Sequence, residues 1–255
     1  MYRIFASLIL FCTTLVVPSQ SALAQPVTVP AGLAPGDQYR LAYVTSSVTT
    51  LPTNEISYYN QFVTTDANSF PALAALGTTW TAIVSTDGVN AVNASDNTDT
   101  NPSVPGVPIY NLGGSLVAEN NSRLWGVTGV IQSYLSAPID IAGNGIVILG
   151  TPAVWTGTGA DGEGLYPIWT PATDIYGRVH PYYADTGSVG SASPLWIGSG
   201  DALDGEPNGG SNLALYAISA VLTVPIPEPS TLVLGLFAAA GLAVPMFRRR
   251  RHRKP

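Results

Sequence analysis

The feature that most limits what this chain can fold into is its last thirty residues, because they withdraw themselves from any globular core. Pro225, Pro227 and Pro229 alternate with single residues. Each proline fixes φ and lacks an N–H, so residues 225–230 join neither helix nor sheet and read as an extended linker. An apolar run follows over residues 231–247, interrupted by two glycines and Pro245. As a helix it spans about 26 Å, the lower limit for crossing a bilayer, so a transmembrane helix is expected there. Arg248, Arg249, Arg250, Arg251, Arg253 and Lys254 close the chain. Basic flanks are retained in the cytoplasm, which places residues 248–255 on that side.

The other end agrees with an exported chain. Arg3 supplies a positive start, residues 4–17 an apolar core, and Ala22-Leu23-Ala24 a small-residue cleavage site. Together they read as a secretory signal peptide, residues 1–24, processed by signal peptidase. The single cysteine, Cys12, lies inside that segment. The exported chain is therefore expected to fold without a disulfide, although its compartment permits one.

The order Pro227-Glu228-Pro229, apolar span, arginine cluster resembles the PEP-CTERM sorting signal of bacterial surface proteins. The resemblance covers these residues alone. It implies recognition by an exosortase at the outer face of the inner membrane, with Glu228 a recognition residue and not a catalytic one. It further implies cleavage near the Pro-Glu-Pro and delivery to the cell surface or extracellular matrix. A plain C-terminal anchor on a proline stalk is the simpler alternative.

Residues 25–224 are left to fold, a length suited to one domain. Within them only Arg40, Arg123 and Arg178 are basic against 15 Asp and Glu, a formal charge of −12. Neutralising phosphate needs basic side chains, so nucleic acid and anionic polymers are excluded as partners. Neutral glycans, proteins and divalent cations remain. Lysine is absent from this region while Gly, Thr, Ser and Asn abound, a composition of turns and short strands.

Along the chain, a Pro35-Gly36-Asp37 turn introduces a strand over residues 39–45. Thr53 or Asn54 is placed to cap a helix carrying Ile56, Tyr59, Phe62 and Val63 on one face. A second short helix is expected from Ser69, with Phe70, Leu73, Ala74 and Leu76, ending at Gly77. Residues 79–85 read as a strand. The polar stretch 90–105, with Asn93, Asp96, Asn97, Asp99 and Asn101, reads as a solvated loop; calcium is the alternative, although EF-hand spacing is missing. Residues 107–112 and 115–118 around Gly113-Gly114 predict a tight hairpin. Residues 122–134 predict a brief helix or turn that buries Trp125.

The string Thr79-Trp80-Thr81-Ala82-Ile83-Val84-Ser85, then Val107-Pro108-Ile109-Tyr110-Asn111-Leu112, resembles the endostatin-like branch of the C-type lectin-like fold. Val154-Trp155-Thr156-Gly157-Thr158 with Asp161-Gly162, then Trp169, then the closing Ala214-Leu215-Tyr216-Ala217-Ile218-Ser219 continue the match in order, so that it spans residues 70–223. The implied fold class is α+β, a single C-type lectin-like domain. The family's disulfide cysteines, the arginine patch associated with heparin and the histidines associated with zinc are missing here, so heparin-like binding is not carried over. Burial of the five tryptophans and many tyrosines is expected to stand in for the cross-links.

Glu206-Pro207-Asn208 is the tripeptide with which sugar-binding C-type lectins hold calcium and vicinal hydroxyls. Asp201 and Asp204 lie beside it, and Asp201, Asp204, Glu206 and Asn208 form the candidate calcium set. The Trp-Asn-Asp segment that completes a lectin site is absent, and a polar Pro-Gly turn before the last strand accounts for the same residues. No catalytic constellation stands out. His180, followed by Pro181, reads as a loop residue with no Gly-x-Ser-x-Gly elbow to serve. One histidine and no cysteine build no His/Cys metal site. Gly157, Gly159 and Gly162 have dinucleotide-loop spacing without the helix that such a loop requires. The expected function is non-catalytic adhesion, or glycan or protein binding. The alternatives are a secreted glycoside hydrolase using paired carboxylates, Asp161 with Glu163 or Asp204 with Glu206, and a purely structural coat protein.

Overall fold

The computed structural model describes residues 26–126, 134–173, 179–199, 203–204 and 210–226. The signal-peptide segment, Pro227-Glu228-Pro229, the apolar span and the basic tail lie outside them. Among the described residues, no helix is long and apolar enough to cross a membrane.

In chain order the elements are β1 (Gln38–Val44), α1 (Ile56–Asn68), α2 (Pro71–Ala74), β2 (Trp80–Ala82), α3 (Ala94–Asn97), β3 (Ile109–Asn111), β4 (Leu116–Ala118) and α4 (Asn121–Leu124). There follow β5 (Ala153–Trp155), β6 (Thr170–Thr173), β7 (Val179–Ala184), β8 (Thr186–Ser188), β9 (Leu203–Asp204), β10 (Ala214–Ser219) and β11 (Leu222–Thr223). They make a mixed α/β fold with few helices around a curled sheet. A separate three-stranded sheet runs β6-β7-β9.

The last long strand is the centre of the large sheet. β10 pairs antiparallel with β1, Ala42 opposite Ile218. Its other edge is shared by β2, antiparallel, and β5, parallel. β3 joins the far edge of β1 in parallel, and β4 returns beside it. Both faces of this sheet are covered, and the alternation of side chains along a strand divides the core in two. Tyr39, Leu41, Tyr43, Trp155, Leu215 and Ala217 face one cluster, where α1 contributes Tyr59, Val63 and Ala67. Ala42, Val44, Val154, Tyr216 and Ile218 face the other, with Ala94, Leu124, Trp125 and Trp196. A sheet buried on both sides explains why β1 and β10 read as continuous apolar runs.

β10 and β11 act as one bulged strand along β1. The register shifts by one residue between them, Ala42 pairing with Ile218 but Tyr39 with Leu222. At the irregularity the Leu41 N–H donates to the Ser219 hydroxyl at 3.0 Å, so a side chain completes the ladder where the backbone slips. Gly36 N–H donates to Val224 O at 3.0 Å and Val224 N–H to Asp37 O at 2.9 Å, which ties the turn before β1 to the residue after β11.

Local expectations hold at most elements. Gly113-Gly114 turns β3 into β4, with Asn111 Oδ1 accepting the N–H groups of Gly113 and Ser115 at 3.0 Å each. Pro71 opens α2, and Gly77 adopts φ +58° after it. Asn120 caps α4 by accepting the Arg123 N–H, and Trp125 enters the core with its indole N–H on Thr100 Oγ1 at 2.8 Å. Other details differ. Thr53 Oγ1 accepts the Glu55 N–H instead of capping the helix from the terminal position. The polar stretch 90–105 is not simply solvated: it contains α3, and Ser95, Thr98 and Thr100 are buried. Its asparagines are committed to the fold, since Asn97 and Asn60 seal the free edge of β2. Asn60 Oδ1 accepts the Ala82 N–H at 2.9 Å, Asn97 Nδ2 donates to Ala82 O at 2.7 Å, and the two amides bond to each other. An open strand edge is thereby closed without a neighbouring strand.

Arg40 is buried on the same side and donates to the carbonyls of Thr98 and Asp99. Burial lowers its pKa, with Asp99 opposing the shift. The ion pair to Asp99, 3.5 Å, is to a carboxylate 98% exposed and therefore contributes little; the carbonyl bonds are what hold the turn.

Asn60→Ala is expected to cost about 1–3 kcal/mol, because it strands the buried Ala82 N–H. Combined with Asn97→Ala, the loss should fall short of the sum of the single losses, read by a double-mutant cycle from denaturant melts.

Candidate functional site

The structure locates only part of the acid cluster identified in the sequence. Asp201, Glu206 and Asn208 lie outside the described residues. Asp204 ends β9, where its backbone pairs with Tyr183 of β7 while Leu203 pairs with Ala184. His180 belongs to β7, opposite Ala172 of β6, and is a strand residue where a loop was expected. The proline that follows it did not prevent the strand, because the β6–β7 hairpin is itself irregular in register. Pro227, Glu228 and Pro229, expected to form a sorting motif, and the basic residues Arg248, Arg249, Arg250, Arg251, Arg253 and Lys254 lie outside the described residues.

What anchors this pole is a buried seam of hydroxyls beneath the small sheet. β7 ends at Ala184, and the next residue, Asp185, is fully buried, its Oδ1 accepting the Thr186 N–H at 2.8 Å. The Asp185 carbonyl accepts from the N–H groups of Thr156 and Gly157. Thr158 donates its hydroxyl to Thr156 O at 2.6 Å. A threonine has one hydroxyl proton, so in the 3.0 Å contact between Ser85 and Thr158 it is Ser85 that donates. Ser85 Oγ in turn accepts the Ala94 N–H at 2.9 Å. The chain leaving β2, the chain leaving β5, α3 and the end of β7 are thus joined by one chain of polar contacts.

Gly157 sits at the crossing, at φ +58°, and a β-carbon there would lie 2.7 Å from Ile168 N and 2.8 Å from Ser85 O. Only glycine satisfies both the dihedral and the space. Beyond it the chain makes a tight turn. Asp161 Oδ1 accepts the Glu163 N–H at 3.1 Å, and Gly164 N–H reaches Asn93 Oδ1 at 3.1 Å. Asp161 thus shapes its own loop, while Glu163 is exposed.

This turn ends in a strained segment that the sequence did not reveal. Tyr166 and Trp169 adopt φ +148° and +76°, values that bulky residues seldom take. They are held there by their surroundings: Tyr166 O accepts the Asp185 N–H, Ile168 is buried, and the Trp169 indole donates to Leu51 O at 2.8 Å. The result is that Leu165 and Tyr166 stand out on a rigid base, 48% and 49% exposed. Strain of this kind persists where the surrounding structure over-determines it, and it gathers at recognition sites. The dihedral cost is invisible in a string of residue types, although the glycines at 157, 159, 162 and 164 mark a chain under conformational demand.

Titratable groups elsewhere are governed by burial. The Tyr43 and Tyr216 hydroxyls are driven above the ordinary tyrosine range by burial, helped by the Asp66 carboxylate for the first and Asp140 for the second. Burial also raises the Asp140 carboxyl. Among the described residues no three of His, Cys, Asp and Glu converge as a metal cage.

Compared with known proteins, the chain matches no protein-family model and no curated sequence.

Gly157→Ala should destabilise the fold by about 2–4 kcal/mol, combining an unfavourable φ with a backbone clash. A midpoint within 0.5 kcal/mol of the parent in urea unfolding, roughly the noise of a surface substitution, would show that the crossing is not tight.

Proposed function

We propose that this chain is an exported bacterial protein of the cell surface or extracellular matrix, sorted by an exosortase and engaged in non-catalytic adhesion. Its folded part, residues 25–224, is read as an endostatin-like, C-type lectin-like domain. The observation that carries the sorting half is the C-terminal order of Pro227-Glu228-Pro229, apolar residues 231–247 and the basic cluster. For the fold, the support is the pairing of the first strand with the last: β1 lies against β10 and β11, with α1 and α2 following β1 before β2. The matched strings occupy β2, β3, β5 and β10 in order.

This arrangement suits a tethered adhesin. Residues 36–37 and 224 meet, so the C-terminal linker departs from beside the turn that opens β1. Ligand contact is assigned to the small-sheet pole, where Leu165 and Tyr166 protrude and where β9 carries Asp204. Calcium held by Asp201, Asp204, Glu206 and Asn208 is the form of glycan contact that this reading favours. The charge of −12 suits a divalent cation and a neutral polymer over a polyanion.

Replacing Pro227, Glu228 and Pro229 with alanine should leave unprocessed protein in the inner membrane, detected by fractionation and blotting; normal release of that variant overturns the sorting half. Calcium at 100 times its dissociation constant should stabilise the ectodomain by about 2.7 kcal/mol. That gain should vanish in Glu206→Ala/Asn208→Ala, and a melt indifferent to calcium and chelator removes the cation from the proposal.

A further inference from the structure

A second feature is independent of the small-sheet pole and of any cation. Along α1, Tyr58, Phe62, Thr65 and Ser69 recur at helical spacing and line one wall of an open pocket of about 280 Å³. Gln61 and Asp66 complete the helical side, and Ser47, from the connection after β1, forms the opposite bank. The two banks are tied together at the base. Asp66, 4% exposed, accepts the Ser47 N–H on Oδ1 at 2.9 Å and the Ser46 N–H on Oδ2 at 3.3 Å.

We propose that this pocket binds one pyranose ring of a neutral glycan, without a metal ion. The volume is at the small end of ligand sites and accommodates a single ring, not an extended polymer or a peptide. Its chemistry alternates as a sugar's does. Tyr58 offers a half-open ring, 38% exposed, to a face of C–H groups. That ring is fixed before any ligand arrives, edge-on to Tyr59 at 5.2 Å and 85°, with its hydroxyl 3.3 Å from Thr49 Oγ1. Little side-chain freedom is therefore lost on binding. Asp66 is held by two backbone donors and lies against the Tyr43 hydroxyl, so it braces the base of the pocket beneath the hydroxyl-bearing rim. Gln61 is likewise steadied, its Nε2 donating to Thr65 Oγ1 at 3.1 Å. Hydroxyl groups both donate and accept, so they suit a rim of amide, carboxylate and hydroxyls.

Charge separates this occupant from its rivals. A uronate or phosphate is repelled by a domain of charge −12 whose pocket contains no basic group. An ammonium or guanidinium ligand would seek an uncompensated acid. Here Asp66 is the pocket's only acid, and two amide N–H groups already meet its charge.

The test is saturation-transfer NMR on the full chain in a polyoxyethylene detergent, which carries no sugar headgroup, with chelator present. The probes are methyl α-D-glucopyranoside, methyl α-D-mannopyranoside and methyl β-D-galactopyranoside. At least one should receive saturation, strongest at its ring C–H protons, and titrate in the millimolar range. Tyr58→Ala should weaken binding about tenfold and Tyr58→Phe by less than about twofold. Gln61→Ala, at an exposed position, should also weaken it. Thermal melts establish that each variant is folded. Three outcomes each overturn the proposal: no transfer to any of the three sugars, unchanged binding in both Tyr58→Ala and Gln61→Ala, or displacement of the sugar by n-butylammonium at lower concentration than by a second sugar.

Discussion

The pairing of β1 with β10 and β11 is the contact on which the remaining structure depends. It joins residues almost two hundred positions apart, Gln38 opposite Thr223, and places β10 between β1 on one edge and β2 and β5 on the other. Closing so long a loop costs only modestly more than closing a short one, because the entropy grows with the logarithm of length. Once closed, the ladder supplies both faces on which everything else is laid. α1 and α2 cover one; α3, α4, Trp125 and Trp196 cover the other. Such non-local order implies slow folding relative to a helical domain of the same size.

The irregular half of the chain is held by a different device. Ser85, Thr156, Thr158, Asp185 and Thr186 are buried polar residues, and their hydrogen bonds extend the β5–β8 ladder to the chain leaving β2 and to α3. Each bond is worth about a kilocalorie per mole net, but leaving any one unmet inside the core costs more, so the seam tolerates little displacement. This rigidity sustains the unusual dihedrals at Tyr166 and Trp169. The protruding Leu165 and Tyr166 ride on that base.

Aromatic side chains do related work in the cores. Trp80, Trp125, Trp155 and Trp196 are buried, and the indoles of Trp125 and Trp155 find acceptors at Thr100 Oγ1 and Thr49 O, both at 2.8 Å. Trp155 and Trp169 together fasten residues 49–51 to the sheet, and that segment also steadies Tyr58 through Thr49. The α1 pocket and the small-sheet pole are thus two surfaces on one acidic body, joined through residues 49–51.

The sequence by itself determined what local chemistry controls. Continuous apolar runs fixed β1 and β10, helical spacing of Tyr59 and Val63 fixed α1, Gly113-Gly114 fixed the β3–β4 turn, and the expectations at both chain ends rest on order and charge alone. Tertiary structure decided what depends on partners distant in sequence. That Asn60 and Asn97 would seal the edge of β2, that Ser95, Thr98 and Thr100 would be buried within a polar stretch, and that His180 would lie in a strand all follow from pairing with other segments, from eight positions away for His180 and Ala172 to 37 for Asn60 and Asn97. The pocket on α1 was hidden for the same reason. Phe62 reads as part of an apolar stripe and Tyr58 is not singled out, because the pocket needs the residues after β1, drawn across by Asp66, and a cavity is a relation between segments and not a property of either.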